Sequence, residues 1–360
     1  MSDEGGGGAA ATRGDGRLAA VVCLVAAMFG FGVIPIFLRH FADRLDPWTV
    51  NGIRYSVGAV FWLPFVLLLE RRTGAGAPGE DRGASALSAE EAIEEATMSP
   101  GDNPGEVLPP PAGTPDPQRP NVWRDALVPS VVNILGQVGF GVSPYFVMAS
   151  TLGFVTRLSF LFTIMFGFAF LAEERRLAGK AWFWLGAAVS MAGVLMMFLE
   201  KLMGGGRESL IGLTIIVLTA LAWGGYSVSV RQYMAPYPVR QSFGVISLYT
   251  SAALVLLMLL FGRVASLAQI DAGLWLNLMA SALLGIAFGH VLYYRGIHRL
   301  GPVVSSGIML ATPFVTYLGA AVCLGERLSG MELAGGLAVV AGGALLVGAR
   351  AQVERDTPAD

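Results

Sequence analysis

Charge is scarce in this 360-residue chain: 14% of its residues are Asp, Glu, Lys or Arg, where a soluble globular domain carries about 25%. Three histidines and two cysteines are scattered too widely for a metal-ligand set. Cys23 and Cys323 both lie inside apolar runs, so no disulfide framework is expected. A net charge of -2 with no basic stripe argues against a nucleic-acid partner. The chain has no P-loop, no GxSxG pattern and no soluble stretch long enough for a nucleotide-binding domain. An enzyme, a resident cofactor and direct ATP coupling are therefore all unexpected, and a gradient must supply any work.

Apolar sequence is abundant instead. Hydrophobic residues make up 54% of the chain and its mean hydropathy is +0.61. The few charges cluster in gaps between runs of roughly 20 residues, the length a helix needs to cross about 30 Å of hydrocarbon. The runs are Leu18–Leu38, Trp48–Leu69, Leu127–Ser150, Phe154–Ala172, Ala181–Leu199, Leu210–Val230, Phe243–Phe261, Leu274–Tyr294, Pro302–Leu324 and Met331–Ala349. The expected fold class is an all-α integral membrane protein with ten transmembrane helices. Asp46-Pro47 is a good helix start, and Trp48 suits the membrane interface. The 47 glycines suit close helix–helix approach in lipid.

Two segments of these runs echo each other. Gly153–Met196 and Gly301–Leu346 each carry an apolar run ending in an acidic–basic pair, Glu174-Arg175 or Glu326-Arg327. In the run that follows, Gly186, Ala192 and Gly193 stand where the later copy has Gly335, Ala341 and Gly342. Phe29-Gly30 likewise pairs with Trp223-Gly224. Five spans per half is an odd number, so the second half is inverted relative to the first. Inverted repeats place a solute site near the midplane, where the halves meet. The expected organisation is a disordered tail (1–16), a first repeat (17–200), a linker (201–206), a second repeat (207–349) and a second disordered tail (350–360). Within the first repeat, residues 73–121 are rich in Pro, Gly and acidic residues and cannot bury enough surface to fold alone. They are expected to be a disordered insertion, in which Ser88-Ala89-Glu90-Glu91 resembles a capping box opening a short helix over Glu90–Thr97.

Basic residues set the orientation. With the N-terminus inside, sixteen of the Lys and Arg residues fall in inner segments and six in outer ones, leaving Arg54 and Arg157 within spans. Both termini are thus expected in the cytoplasm.

With the ten spans, the repeats and Gly325-Glu326-Arg327-Leu328 together, the chain resembles an EamA-type member of the drug/metabolite transporter (DMT) superfamily. The resemblance is carried by Phe29-Gly30, Trp223-Gly224, Arg54 in the second span, and Pro313 ahead of Glu326-Arg327. It covers nearly everything but the tails and residues 73–121. The chain departs from the pattern at Leu161, opposite Pro313, at Glu173-Glu174 in place of Gly-Glu, and at Val245 opposite Arg54. The resemblance implies a basket of ten helices in a bacterial inner or plasma membrane. It also implies transport of small solutes such as amino acids, often outward, driven by protons or exchange; a proton as coupling ion and a homodimer are left open.

Candidate substrate-binding residues are the polar and aromatic ones inside the spans. Arg157 sits about one turn into an apolar run, where a guanidinium costs about 2.5–3.5 kcal/mol at a helix centre. It either holds a substrate carboxylate or phosphate or snorkels to the headgroups. Asn133 and Gln137, at i and i+4, share a face that either glues helices or lines a cavity. Trp223 and Tyr226, Tyr145, Tyr293, Tyr294 and Tyr317 either stack on a solute or pack. His290 either carries a coupling proton or is a hydrogen-bonded packing residue. Arg54, Pro35, Pro144, Pro313, Glu174 and Glu326 are read as structural or gating positions, the prolines through the backbone carbonyls they leave unpaired. Two rival classes stay in view. A non-transporting receptor or scaffold would keep the fold without needing the cavity groups. An integral-membrane transferase would need clustered acid–base residues at one membrane face.

Overall fold

The long helices begin where side chains can satisfy their first amides. Asp46 accepts hydrogen bonds from the Thr49 backbone N–H at 2.9 Å and the Thr49 hydroxyl at 2.7 Å. Pro47, which has no amide to satisfy, takes the first helical position, as the sequence leads one to expect. Asn121, Ser209 and Asp271 cap three further helices in the same way.

In the computed structural model, residues 5–34, 37–38, 41, 44–74, 121–146, 155–203, 209–315, 318 and 329–356 are described. They form α1 (Gly5–Gly32), α2 (Pro47–Gly74), α3 (Val122–Val142), α4 (Thr156–Phe170), the short α5 (Ala172–Gly179) and α6 (Ala181–Met203). These are followed by α7 (Leu210–Met234), α8 (Val239–Phe261), α9 (Ala272–Val315) and α10 (Gly330–Arg355). No strand occurs among the described residues. Leu18, Val22, Val60, Leu135, Leu218, Leu256 and Leu276 are exposed along the outer faces. Such a surface suits hydrocarbon rather than water, and the chain is a multi-pass integral membrane protein.

Among the described residues, five helices are long and apolar enough to cross a membrane: α3, α7, α8, α9 and Leu333–Arg355 of α10; α4 and α5, bent by 111°, would together make a sixth. The ten-span count is not reached among the described residues. The apolar parts of α1 and α6 are short, Gly16–Gly32 and Ala181–Met196, and the runs Leu274–Tyr294 and Pro302–Leu324 join in the 44-residue α9. At 1.5 Å per residue α9 would measure about 66 Å if straight. It is not straight: Gly301 (φ 80°, ψ 162°) interrupts it and Pro302 restarts it. That backbone region is essentially closed to residues with a Cβ. Before the break, Ala282–Phe288 widens into a π-helical turn.

The expected disordered tails are helical where described. α1 begins at Gly5 and α10 runs to Arg355; Glu354 near the end of α10 pairs with Arg17 at 2.5 Å and with Arg350 at 3.6 Å. α6 likewise runs to Met203, into the expected linker. Residues 75–120, with the expected helix Glu90–Thr97, lie outside the described residues, as do Pro35, Tyr317 and Gly325–Leu328 with Glu326.

Packing follows small residues. α6 lies along α10, α2 along α8, α1 along α9, and both α3 and α4 along α7. A Cβ added at Gly186 would sit 2.9 Å from the Gly342 carbonyl oxygen, and one at Gly193 would sit 2.6 Å from that of Gly335. The α6 and α10 backbones therefore touch, as expected of helices that associate in lipid through glycine.

Candidate functional site

Among the described residues, a cluster of hydroxyl and amide groups gathers inside the bundle. α7 presents Trp223, Tyr226 and Ser227 one turn apart, and α9 presents Tyr293 and Tyr294 to meet them. The Tyr226 and Tyr294 hydroxyls hydrogen-bond each other, and Tyr293 shares a hydrogen bond of 2.9 Å with Ser227 Oγ. On the other side, Asn133 Nδ2 donates to Thr250 Oγ1 at 3.0 Å, and Gln137 Nε2 donates to Asn133 Oδ1 at 3.4 Å. Asn51 Nδ2 reaches the Gln137 carbonyl at 3.3 Å. Tyr55 stands between the two groups. Its buried hydroxyl lies beside the Asn133 and Gln137 amides without a well-formed hydrogen bond to either. Trp223 closes the side of the cluster: it packs on Phe140 with ring centroids 4.9 Å apart, and a Cβ at Gly136 would sit 2.5 Å from its ring. Only a glycine there lets the indole lie flat on α3.

This arrangement joins α2, α3, α7, α8 and α9 through neutral donors and acceptors. Buried polar groups are costly unless paired, so Tyr55, whose hydroxyl is not, marks where a ligand's polar atom could add a bond. The cluster has no carboxylate, and among the described residues no three His, Cys, Asp or Glu gather as a metal site. What it offers chemically is neutral hydrogen-bond donors and acceptors beside aromatic faces.

The other expected residues divide. Arg54 is buried against the π-helical turn, its Nε donating to Ser281 Oγ at 3.1 Å. His290 contacts the Gly285 carbonyl through Nδ1 at 2.9 Å and is flanked by Phe31 and Phe243. Because a carbonyl can only accept, Nδ1 carries the proton, and the geometry is that of a packing histidine. Arg157 is turned inward onto α9, donating from Nη1 to the Met309 carbonyl at 3.2 Å, while its Nε has no partner. No contact links Arg157 to the tyrosine cluster among the described residues. Tyr145 is 57% exposed in the turn Ser143–Tyr145, which also contains Pro144, and is not part of the cluster. Pro313 is buried beyond the 3₁₀ turn Met309–Ala311. Sequence reading missed Thr250 and Ser227, each one of several hydroxyl residues close together in its run. Tyr55 was not among the residues it singled out either. The signal available was the polar residue itself, without direction.

A second polar region lies where α1 begins and α10 ends. Arg231 donates to both Glu173 oxygens, at 2.6 and 2.9 Å, and to the His298 carbonyl at 3.0 Å. Burial pushes the Glu173 carboxyl up, but its hydrogen bond to Arg231 and the charges of Arg231, Arg350 and Arg176 together bring it below the usual value. Glu174, in the turn between α4 and α6, is fully buried and neither of its oxygens is hydrogen-bonded. Arg350 Nη1 lies 3.7 Å from Glu174 Oε1.

Comparison with known proteins adds the following. Residues 210–348 match the EamA-like transporter family. An uncharacterized protein of Pseudomonas aeruginosa is 30% identical over 181 residues, which is 50% of this chain and 59% of that protein. The match therefore spans less than two thirds of the relative. A solved crystal structure, titled only as that of a protein, shares 17% identity with a TM-score of 0.62, over 92% of this chain and 97% of its own. At that identity the likeness shows the fold alone. The resemblance to EamA-type transporters thus stands on residues 210–348, with a shared fold over nearly the whole chain.

Proposed function

We propose that this chain, whose residues 210–348 are EamA-like, is a secondary active transporter exporting small polar or amphipathic metabolites, amino acids or related solutes. It works by alternating access between two inverted five-helix repeats, takes its energy from a proton or solute gradient, and has both termini in the cytoplasm. The observation that carries this reading is the hydroxyl and amide cluster. It is drawn from both halves, and inverted repeats hold a solute where their halves meet, which supports the reading.

The glycine contacts support the repeats. Under the alignment of the halves Gly186 corresponds to Gly335 and Gly193 to Gly342. The observed contacts are Gly186 with Gly342 and Gly193 with Gly335. Reciprocal contacts of this kind are what a two-fold axis produces. The other pairings follow the same rule: α2 lies on α8, its counterpart, while α3 on α7 mirrors α9 on α1.

The test is flux in proteoliposomes against a panel of amino acids, sugars, nucleosides and cationic drugs, with and without a pH gradient. Wild-type protein should move one solute class, and Tyr226→Phe, which strips a hydroxyl from the cluster, should lose roughly tenfold in transport efficiency. Arg157→Ala tests whether that guanidinium also meets the solute. Folded protein that moves nothing under any gradient would leave the receptor or scaffold reading instead.

A further inference from the structure

The carboxylate of Glu174 occupies a place that the cluster above does not explain. It is completely buried, and neither oxygen has a hydrogen bond. It is seated in the break of α9: a Cβ added at Gly301 would lie 1.8 Å from Glu174 Oε1, and the φ of Gly301 already favours glycine. From α4, Gly167 leaves room for its Cβ and Cγ, each 3.7 Å from where a Cβ there would be.

The charged and titratable groups around it come from several elements. Its own short helix carries Glu173, which is bound to Arg231 of α7. α10 brings Arg350 and, behind it, Glu354, which also holds Arg17 of α1. α9 brings His298, whose Nε2 is buried and unpartnered. Arg350 is near enough for an ion pair, yet its Nε and Nη1 make no hydrogen bond either. A charged carboxylate in such a seat is poorly compensated, and a neutral carboxyl costs less there because it gives up less hydration. Burial accordingly pushes the Glu174 carboxyl up to about 7, against the downward pull of Arg350.

We propose that Glu174 is a proton-binding site that closes this end of the bundle. With its proton, Glu174 stays seated against Gly301 and holds the turn between α4 and α6 onto α9. When the proton passes to water, the carboxylate leaves the seat for solvent and the end loosens. The sign follows from linkage. A carboxyl that binds its proton more tightly when buried than when hydrated favours the buried arrangement at low pH and gives it up as pH rises. As a gate on a solute path this rests on the transport reading above; as a proton site it does not.

Two measurements on the purified full chain in detergent test it without requiring flux. Infrared difference spectra across pH 5 to 9 should show a carboxylic-acid band that titrates with a midpoint near 7 and is missing in Glu174→Gln. Over the same range, hydrogen exchange of the amides of residues 300–307, corrected for the intrinsic pH dependence, should quicken as pH rises in the wild type. Glu174→Gln, a permanent mimic of the neutral acid, should stay protected at every pH, and His298→Gln should still titrate. The proposal is overturned if Glu174→Gln keeps the wild-type pH dependence, if the wild type shows none, or if His298→Gln abolishes it. Lost flux with intact titration would count against transport alone, and the reverse against the proton site alone.

Discussion

Asp46 and Glu174, acids at the two ends of the bundle, are held in opposite ways. At one end Asp46 caps α2 and also accepts the Arg263 backbone N–H at 2.8 Å, while Asp271 caps the start of α9 and pairs with Arg44 at 3.0 Å. Burial would raise Asp46, but the Thr49 hydroxyl and the Arg263 and Thr49 amides outweigh it, and the carboxyl stays below its usual value. At the other end Glu174 has comparable charges nearby and no hydrogen bond at all. The difference teaches that hydrogen bonds to the charged form, more than proximity to a cation, decide whether a carboxylate is a helix cap or a place for a proton.

Three substitutions would break or sharpen that contrast. The largest effect is expected from Gly301→Ala, which adds both backbone strain and an overlap with Glu174. It should lower stability by about 3 kcal/mol or more, measured by thermal unfolding in detergent, and Glu174→Ala in the same chain should restore part of the loss. If the double variant is no better than Gly301→Ala alone, the carboxylate does not occupy the seat. Asp46→Ala comes next, at about 1–2 kcal/mol, because it removes a cap that also fastens the Arg263 loop. Its destabilisation should fade in acid, as the wild-type carboxyl itself becomes protonated and loses its advantage. Arg44→Ala should be smallest. Its pair with Asp271 is more than half exposed on both sides, and such pairs contribute little, so no change in Tm is expected; a clear drop would mean this end depends on ion pairs after all.

Much of the fold was legible in the sequence because hydrocarbon imposes a length and a composition on anything that crosses it. Asp46-Pro47 marked a helix start, and glycines picked out by comparing the two halves turned out to be those where α6 and α10 touch. Less of the candidate site was legible. Asn133, Gln137, Trp223, Tyr226 and Tyr293 were singled out as polar or aromatic residues in apolar runs, and they do come together. Tyr145, chosen on the same ground, lies exposed at a helix end. The end of the chain was expected to be disordered on its polar composition, whereas α10 runs on to Arg355 and Glu354 pairs with Arg17 from a distant part of the chain.

At residues 173–176 the sequence reads Glu-Glu-Arg-Arg, and comparison with Glu326-Arg327 singles out Glu174 as a structural or gating position. It does not show that Glu173 binds Arg231 while Glu174 is buried without a hydrogen bond. Local sequence determined where helices lie and where they start, because those depend on residues within a few turns. The tertiary structure alone decided which hydroxyls pair, how α9 breaks around a carboxylate, and which acid loses its water, because each depends on groups brought together from opposite ends of the chain.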